Sequence, residues 1–307
     1  MIPPGSIPKT SSGKLRREET KQLYLAGTLS ASRAPAWLQI ARLGTGSVVR
    51  NLGREILVGI KRGLEILYGV YFGVVFLLWI VPTWVMVQFI KDHKKAGRFT
   101  SSALKILFAF LRCDVRVAGK EHMETPGAKI YASNHTSYFD VLPLILGLGV
   151  PYRFIAKMEV SSMPFIGTFL RQMGHLKFDR TDPESRLRQA QQMEELLRNG
   201  ESVFVFPEGT FTGEVGVRPF QLGAFKAAVA TGAPIIPVSL AGTRRFLRDG
   251  TYLPRPTNIT ITLSPPIYPS TAASTNNSAD SSGWHELIRL RDATRDAIFR
   301  HSGEPLL

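Results

Sequence analysis

Two short segments of this chain carry residue types that could do chemistry. The first, Asn-His-Thr-Ser-Tyr-Phe-Asp at residues 134–140, places an imidazole and a carboxylate five residues apart, just after an apolar run. Five residues correspond to about 500° around a helix, so His135 and Asp140 cannot share a helical face. They can meet if His135 lies on the turn after a strand and Asp140 in the first turn of a helix. Asp140 would then orient one ring nitrogen and leave the other facing a substrate hydroxyl, as in a general base with its orienting partner.

The second segment is Phe-Pro-Glu-Gly-Thr at residues 206–210, which follows the apolar run 203–206. Glu208 therefore comes directly after a predicted buried strand. Gly209 permits close approach of the backbone to a ligand, and the amides beside it could face an anion. This segment is the predicted substrate-binding loop.

With these residues, the chain resembles the glycerolipid acyltransferase family, whose best-known members acylate 1-acylglycerol-3-phosphate. Four blocks of that family occur in order, and the resemblance covers residues 105–265. The blocks are the His-x4-Asp of 135–140, the Gly-His-Leu-Lys-Phe-Asp-Arg of 174–180, the Phe-Pro-Glu-Gly-Thr of 206–210 and the Ile-Ile-Pro-Val of 235–238.

The resemblance implies an O-acyltransferase with His135 as base and Asp140 as its partner. It implies that Arg180 and Glu208, together with Gly209 and Thr210, bind the glycerol or phosphate region of the acceptor. Arg180 could instead be a surface arginine paired with a neighbouring aspartate. The acyl donor would be acyl-CoA or acyl-carrier protein, the acceptor a lysophospholipid and the product phosphatidic acid. No cofactor is expected, and the scattered histidines predict no metal site.

The sequence departs from the family pattern beside the substrate loop. Many members carry arginine directly after Pro-Glu-Gly-Thr, where this chain has Phe211, and Gln221 stands where lysine is common. Arg218 is the candidate replacement. Both changes remove positive charge near the expected head group, so a second hypothesis is an acyltransferase for another lipid or natural-product hydroxyl, supplied by a partner fatty acyl-AMP ligase.

Residues 1–30 resemble a different family. The run Ile-Pro-Lys-Thr-Ser-Ser-Gly-Lys-Leu-Arg-Arg at 7–17 is similar to the C-terminal end of fatty acyl-AMP ligases, in which the lysine equivalent to Lys14 contacts the acyl-adenylate. Thirty residues cannot enclose ATP. We therefore expect a flexible remnant of a ligase, or a gene model that starts late inside a fusion.

Composition narrows the class of partner. The net charge of +14 over 307 residues calls for an acidic partner. The absence of zinc-finger spacing and of RNA-binding aromatic motifs argues against nucleic acid. Basic residues that flank apolar segments instead suit an anionic bilayer surface. The single cysteine, Cys113, agrees with a reducing cytoplasm.

Residues 66–90 contain no charged side chain, and a helix of that length can cross about 30 Å of hydrocarbon. Because both flanks are basic, a spanning helix and a re-entrant or monotopic insertion stay open, with a buried soluble helix as the alternative. Residues 99–111 predict an amphipathic helix at the interface. We expect the inner or plasma membrane, with the catalytic domain on the cytoplasmic side.

From residue 112 onward, strand and helix patterns alternate, which predicts an α/β fold with a mostly parallel sheet flanked by helices. His135 and Glu208 both follow strands, at the edge where such sheets bind ligands. The predicted organisation is a ligase-like remnant (1–30), a basic linker (31–65), membrane and interfacial helices (66–111), the acyltransferase domain (112–269), a linker (270–283) and a C-terminal amphipathic helix and tail (284–307).

Overall fold

The computed structural model describes residues 7–8, 10, 13–27, 36–149, 152–157, 163–174, 176–178, 183–210, 213–248, 250–270 and 281–307. The chain divides into two compact units, residues 1–64 and 65–307. In the first unit, α1 (Arg17–Leu25) buries none of its side chains. Residues 36–65, assigned above to a linker, belong to the long helix α2 (Ala36–Gln88).

A seven-stranded sheet forms the centre of the second unit, counted over the described residues. Its spatial order is β1-β7-β6-β2-β5-β3-β4, with β6 and β7 antiparallel and the other neighbouring pairs parallel. The mostly parallel α/β class predicted from the sequence is confirmed. The strands are β1 (Val115–Ala118), β2 (Ile130–Ser133), β3 (Tyr152–Lys157), β4 (Leu176–Phe178), β5 (Ser202–Val205), β6 (Ile235–Ala241) and β7 (Ile259–Leu263).

Helices cover both faces of this sheet. A 3-10 turn, Lys120–Glu124, precedes β2. The remaining helices are α3 (His93–Leu111), α4 (Val141–Leu148), α5 (Pro164–Gln172), α6 (Pro183–Arg198), α7 (Gly223–Thr231), α8 (Thr243–Phe246) and α9 (Ser281–Ser302).

Alternate residues of the central strands face two separate cores. Tyr131 and Phe204 belong to the core that contains α3 and α4, whereas Ile130 and Val203 belong to the core that contains α7 and α9. All four residues of β2 are buried. A central parallel strand that is covered on both faces needs such an uninterrupted apolar run, because neither of its faces meets water.

Within the second unit, α2 and α3 pack as an antiparallel pair. The indole of Trp79 donates to the carbonyl of Ala103 (2.7 Å), and the hydroxyl of Tyr71 donates to that of Phe110 (2.7 Å). Phe72 and Phe76 contact the core on the same side of α2. The helix continues through Pro82, and the chain reverses only between α2 and α3.

The opposite side of α2 exposes large apolar side chains, among them Leu67, Val74 and Leu78. By length and composition alone, the stretch Asn51–Gln88 could cross a membrane. Helix α3 is amphipathic as predicted, but its apolar stripe, including Leu104, packs onto the core and leaves Ile106 and Phe110 outside.

Candidate active site

The site is built on the turn that leaves β2. Asn134, the first residue after the strand, is fully buried. Its side-chain amide donates to the carbonyl of Leu240 (2.9 Å), and its side-chain oxygen accepts from the amide of the same residue (2.8 Å). These two hydrogen bonds fasten the end of β2 to the neighbouring strand β6. They thereby fix the position of the next residue, His135.

His135 and Asp140 meet as the sequence predicted, across the turn between β2 and α4. Nδ1 of His135 lies 2.8 Å from Oδ2 of Asp140. The same oxygen accepts from the backbone amides of Thr136 (2.6 Å) and Ser137 (2.9 Å). Because a buried carboxylate faces Nδ1, that nitrogen carries the proton, and Nε2 is the basic nitrogen of the ring.

The imidazole stacks on the ring of Phe206, with centroids 4.2 Å apart and planes 20° from parallel. Its side chain is 18% exposed. It borders a cavity of about 450 Å³ that opens beside the carboxyl ends of β2 and β5. Most of the lining is apolar, and α2, α4 and α5 contribute Phe76, Trp79, Leu142, Ile166 and Leu170 to it, with Met173 directly after α5. The imidazole therefore borders a largely apolar pocket of the size that binds small ligands.

Glu208 lies beneath this pocket, 5% exposed. One carboxylate oxygen accepts from the backbone amide of His135 (2.9 Å), and the other accepts from that of Arg218 (3.3 Å). Burial raises the pKa of Glu208 to about 7, and the two amide bonds partly oppose that shift. The carboxylate thus joins two loops of the site, whereas its neighbours Pro207, Gly209 and Thr210 line the cavity.

The loop after β5 turns sharply at Gly209, whose φ is +81°. A Cβ there would lie 2.6 Å from the side-chain amide of Gln221, so glycine allows the close approach as well as the turn. The guanidinium of Arg218 donates to the carbonyl of Thr210 (3.3 Å). The structure thus brings Arg218 to the loop that lacks the usual arginine at residue 211.

The structure places five of the predicted site residues around His135. These residues are Asp140, Glu208, Gly209, Thr210 and Arg218. Arg180 lies outside the described residues, as does Phe211. Sequence reasoning missed the stacking of Phe206 on His135, although this residue stands inside a motif. It also missed Arg295 of α9, described below, for which the sequence holds no local signal.

Comparison with known proteins places the chain in a family. The family described as Acyltransferase matches residues 114–241, which contain every predicted site residue. A 1-acyl-sn-glycerol-3-phosphate acyltransferase of Bacillus subtilis is 32% identical over 147 residues, which are 47% of this chain and 71% of that protein. The chain belongs to the acyltransferase family.

Two further comparisons extend this result. The chloroplastic 1-acyl-sn-glycerol-3-phosphate acyltransferase BAT2 of Brassica napus is 36% identical over 145 residues, 47% of this chain and 41% of that protein. The crystal structure of the 1-acyl-sn-glycerophosphate acyltransferase PlsC from Thermotoga maritima shares 25% identity at a TM-score of 0.59, covering 77% of this chain and 97% of that one. The chain spans about half the length of the plant relatives that it matches.

Proposed function

We propose that this acyltransferase moves a fatty acyl group from acyl-CoA or acyl-carrier protein to the hydroxyl of 1-acylglycerol-3-phosphate, giving phosphatidic acid. The observation that carries the proposal is the contact between His135 and the buried Asp140 at the wall of an apolar cavity. The names of the Bacillus and Thermotoga relatives support the choice of acceptor.

The geometry supports direct transfer in one site. Nε2 of His135 takes the proton of the acceptor hydroxyl while that oxygen attacks the carbonyl carbon of the thioester. As the new C–O bond forms and the C–S bond breaks, the imidazolium returns the proton to the departing thiolate. Asp140 stabilises the imidazolium between these steps through the 2.8 Å contact with Nδ1. No acyl-enzyme is needed, and no cofactor enters the scheme.

The cavity is proposed to hold an acyl chain. Its lining side chains, such as Leu170 and Met173, offer apolar contact along its walls, and His135 stands at its edge. An acyl chain placed there gains free energy from leaving water, in proportion to the apolar area that it buries. The thioester carbonyl would then lie beside the imidazole.

The acceptor head group is proposed to meet Arg218, with Arg180 as a second predicted cation. Arginine suits this role because its planar guanidinium can bind phosphate through two parallel bonds. Gly209 and Thr210 would contact the glycerol backbone, since both line the cavity. Glu208 is proposed to orient these groups through its bonds to the amides of His135 and Arg218.

A second candidate is an acceptor with less negative charge. The side-chain amide of Gln221, which is neutral, lies against Gly209 where many relatives place a lysine. A different lysolipid or a natural-product hydroxyl fits that change, with the acyl group supplied through a partner fatty acyl-AMP ligase. The resemblance of residues 1–30 to such ligases favours this candidate and stays a prediction.

An acceptor panel distinguishes the two candidates. Purified protein in detergent is given acyl-CoA, or acyl-carrier protein in parallel, with lysophosphatidate, monoacylglycerol or other lysolipids. The first candidate predicts that phosphatidic acid is the main product. The His135→Ala variant is the control and should form no product. Preference for a neutral acceptor over lysophosphatidate would overturn the first candidate in favour of the second.

Membrane attachment is also proposed. The outward side of α2 between residues 65 and 88 presents large exposed apolar side chains while its inward side packs on the catalytic core. A helix held in this way along the domain favours insertion at the bilayer interface. The catalytic domain would then lie on the cytoplasmic side, where acyl thioesters are supplied.

A further inference from the structure

The end of the chain forms a strap across the loop that carries Arg218. Here the strap means residues 304–307. The amide of Val217 donates to the carbonyl of Pro305 (2.7 Å), and the amide of Leu307 donates to the carbonyl of Val217 (3.2 Å), as in a short parallel pairing of strands. Val217 itself is fully buried. The residue that precedes Arg218 is thus held by backbone bonds on both sides.

Arg295 of α9 joins the strap to this loop. Its guanidinium donates to the carbonyls of Val217 (2.7 Å) and Arg218 (3.2 Å), and it also donates to the main-chain oxygen of Leu307. A single side chain therefore fixes three main-chain oxygens from two segments. The guanidinium is suited to this task because its donors are held in a rigid planar fork.

Two more contacts hold the strap in place. Gly216 has a φ of +145°, and a Cβ there would lie 2.5 Å from the side chain of Leu307 and 2.9 Å from the carbonyl oxygen of Pro305. Only glycine permits that approach. At the start of the strap, Glu304 forms an ion pair with Arg244 at 2.7 Å, and both side chains are 11% exposed. The fit is therefore specific at both ends of the strap.

The loop held by the strap reaches the catalytic turn. The backbone amide of Arg218 donates to Glu208, and Glu208 accepts from the amide of His135 through its other oxygen. The bonded groups thus run without interruption from Arg295 to Arg218 and on to His135. Arg295 and the strap lie outside the residues 114–241 that match the family.

We infer that Arg295 is a positioning residue for acceptor recognition, and that the strap fixes the place of Arg218 in the site. The inference rests on the proposed function only in taking Arg218 as the cation that meets the acceptor head group. The loss of the fork should displace Arg218, and a misplacement of about 1 Å can cost on the order of 10²-fold in rate.

The test compares Arg295→Met and Arg295→Lys with Arg300→Met, a matched change at an exposed position of the same helix. Kinetics are measured with lysophosphatidate and with monoacylglycerol. Arg295→Met should lower kcat/KM for lysophosphatidate by about 10- to 100-fold, chiefly through KM, and should change the neutral acceptor little. Arg295→Lys, which keeps the charge without the fork, should be intermediate. Arg300→Met should resemble the wild type.

Two further measurements separate positioning from general damage. In an Arg218→Met background, Arg295→Met should cause no additional loss, because the side chain that it positions is gone. Amide hydrogen exchange of residues 213–221 should accelerate in Arg295→Met and in the milder variant Glu304→Gln. Equal losses on both acceptors, a full additional loss in the double variant, or unchanged exchange would each overturn the inference.

Failure of the proposed function would look different. If the wild type acylates another lysolipid and ignores lysophosphatidate, the acceptor assignment is wrong and the same comparison with the preferred lysolipid decides the role of Arg295. If no acceptor is acylated, the exchange measurement decides whether the strap holds the loop.

Discussion

At the scale of single residues, the site depends on one oxygen atom. Oδ2 of Asp140 accepts from Nδ1 of His135 and from the amides of Thr136 and Ser137. It therefore sets the tautomer of the imidazole and the shape of the turn that carries it. An amide in this place offers one acceptor atom without charge, and cannot stabilise the imidazolium that forms during transfer.

We predict that Asp140→Asn lowers kcat by about 10²- to 10⁴-fold, with His135→Ala at least as severe. Because the two residues act as a unit, the double variant should be little worse than His135→Ala alone. The measurement is kcat at saturating thioester and acceptor, with thermal melting as the control for folding. Asp140→Asn with near-normal turnover would exclude the orienting role.

Glu208 gives the site a titrating group. Burial raises its pKa to about 7 from an ordinary value of 4.5, and its ionised form is the one that accepts both amide bonds. Protonation removes the negative charge of the carboxylate and weakens both amide bonds, because a neutral carboxyl group is a poorer acceptor than a carboxylate. Lowering the pH through 7 therefore weakens the link that Glu208 makes between the two loops. We expect the rate of acyl transfer to decrease below pH 7 for this reason.

We predict that Glu208 contributes to the acid limb of log(kcat/KM) against pH, because its ionised form is the one that joins the two loops of the site. In Glu208→Gln this contribution should disappear, so that the acid limb becomes less steep, and activity at pH 8 should also decrease. The control is Glu194→Gln on α6, whose carboxylate pairs with Arg198 and does not line the cavity. A wild-type slope that is unchanged in Glu208→Gln would show that Glu208 does not titrate in this range.

At the scale of elements, sequence pattern predicts what each segment forms but not which backbone groups bond between segments. The apolar runs of β2 and β5 and the turn residues after them were sufficient to predict a parallel sheet with His135 and Glu208 at one edge. The amide bonds from His135 and Arg218 to Glu208 could not be predicted, because backbone amides carry no sequence signal. The role of Arg295 could not be predicted for a similar reason, because its partners are backbone carbonyl groups.

The join between β2 and β6 shows how an element places the catalytic turn. We predict that Asn134→Ala lowers the free energy of unfolding by about 2 kcal/mol or more, because it leaves the buried amide and carbonyl of Leu240 without partners. The melting temperature should fall by about 5 °C or more. Asn199→Ala, at an exposed position, is the control and should change little. Loss of activity should accompany loss of stability, since His135 follows Asn134 directly.

At the scale of the whole molecule, the two sides of α2 have different surroundings. Between residues 65 and 88, one side packs Phe72, Phe76 and Trp79 against the catalytic core. The opposite side exposes Leu67, Val74 and Leu78, the last of them 70% exposed. Deleting the whole segment would therefore also uncover the core that supports the site. Attachment has to be tested on the outward side alone.

We predict that the wild type stays with the membrane fraction in high salt and in alkaline carbonate, and that detergent releases it. Replacing Leu67, Val74 and Leu78 together by glutamine should shift the protein toward the soluble fraction, because the apolar area available to the bilayer decreases. Activity on acceptor dispersed in detergent should persist, since none of the three side chains lines the cavity. The matched change of Phe72 and Phe76 to glutamine should instead unfold the domain. Release of the wild type by salt alone would mean that its basic residues, not α2, hold it to the membrane.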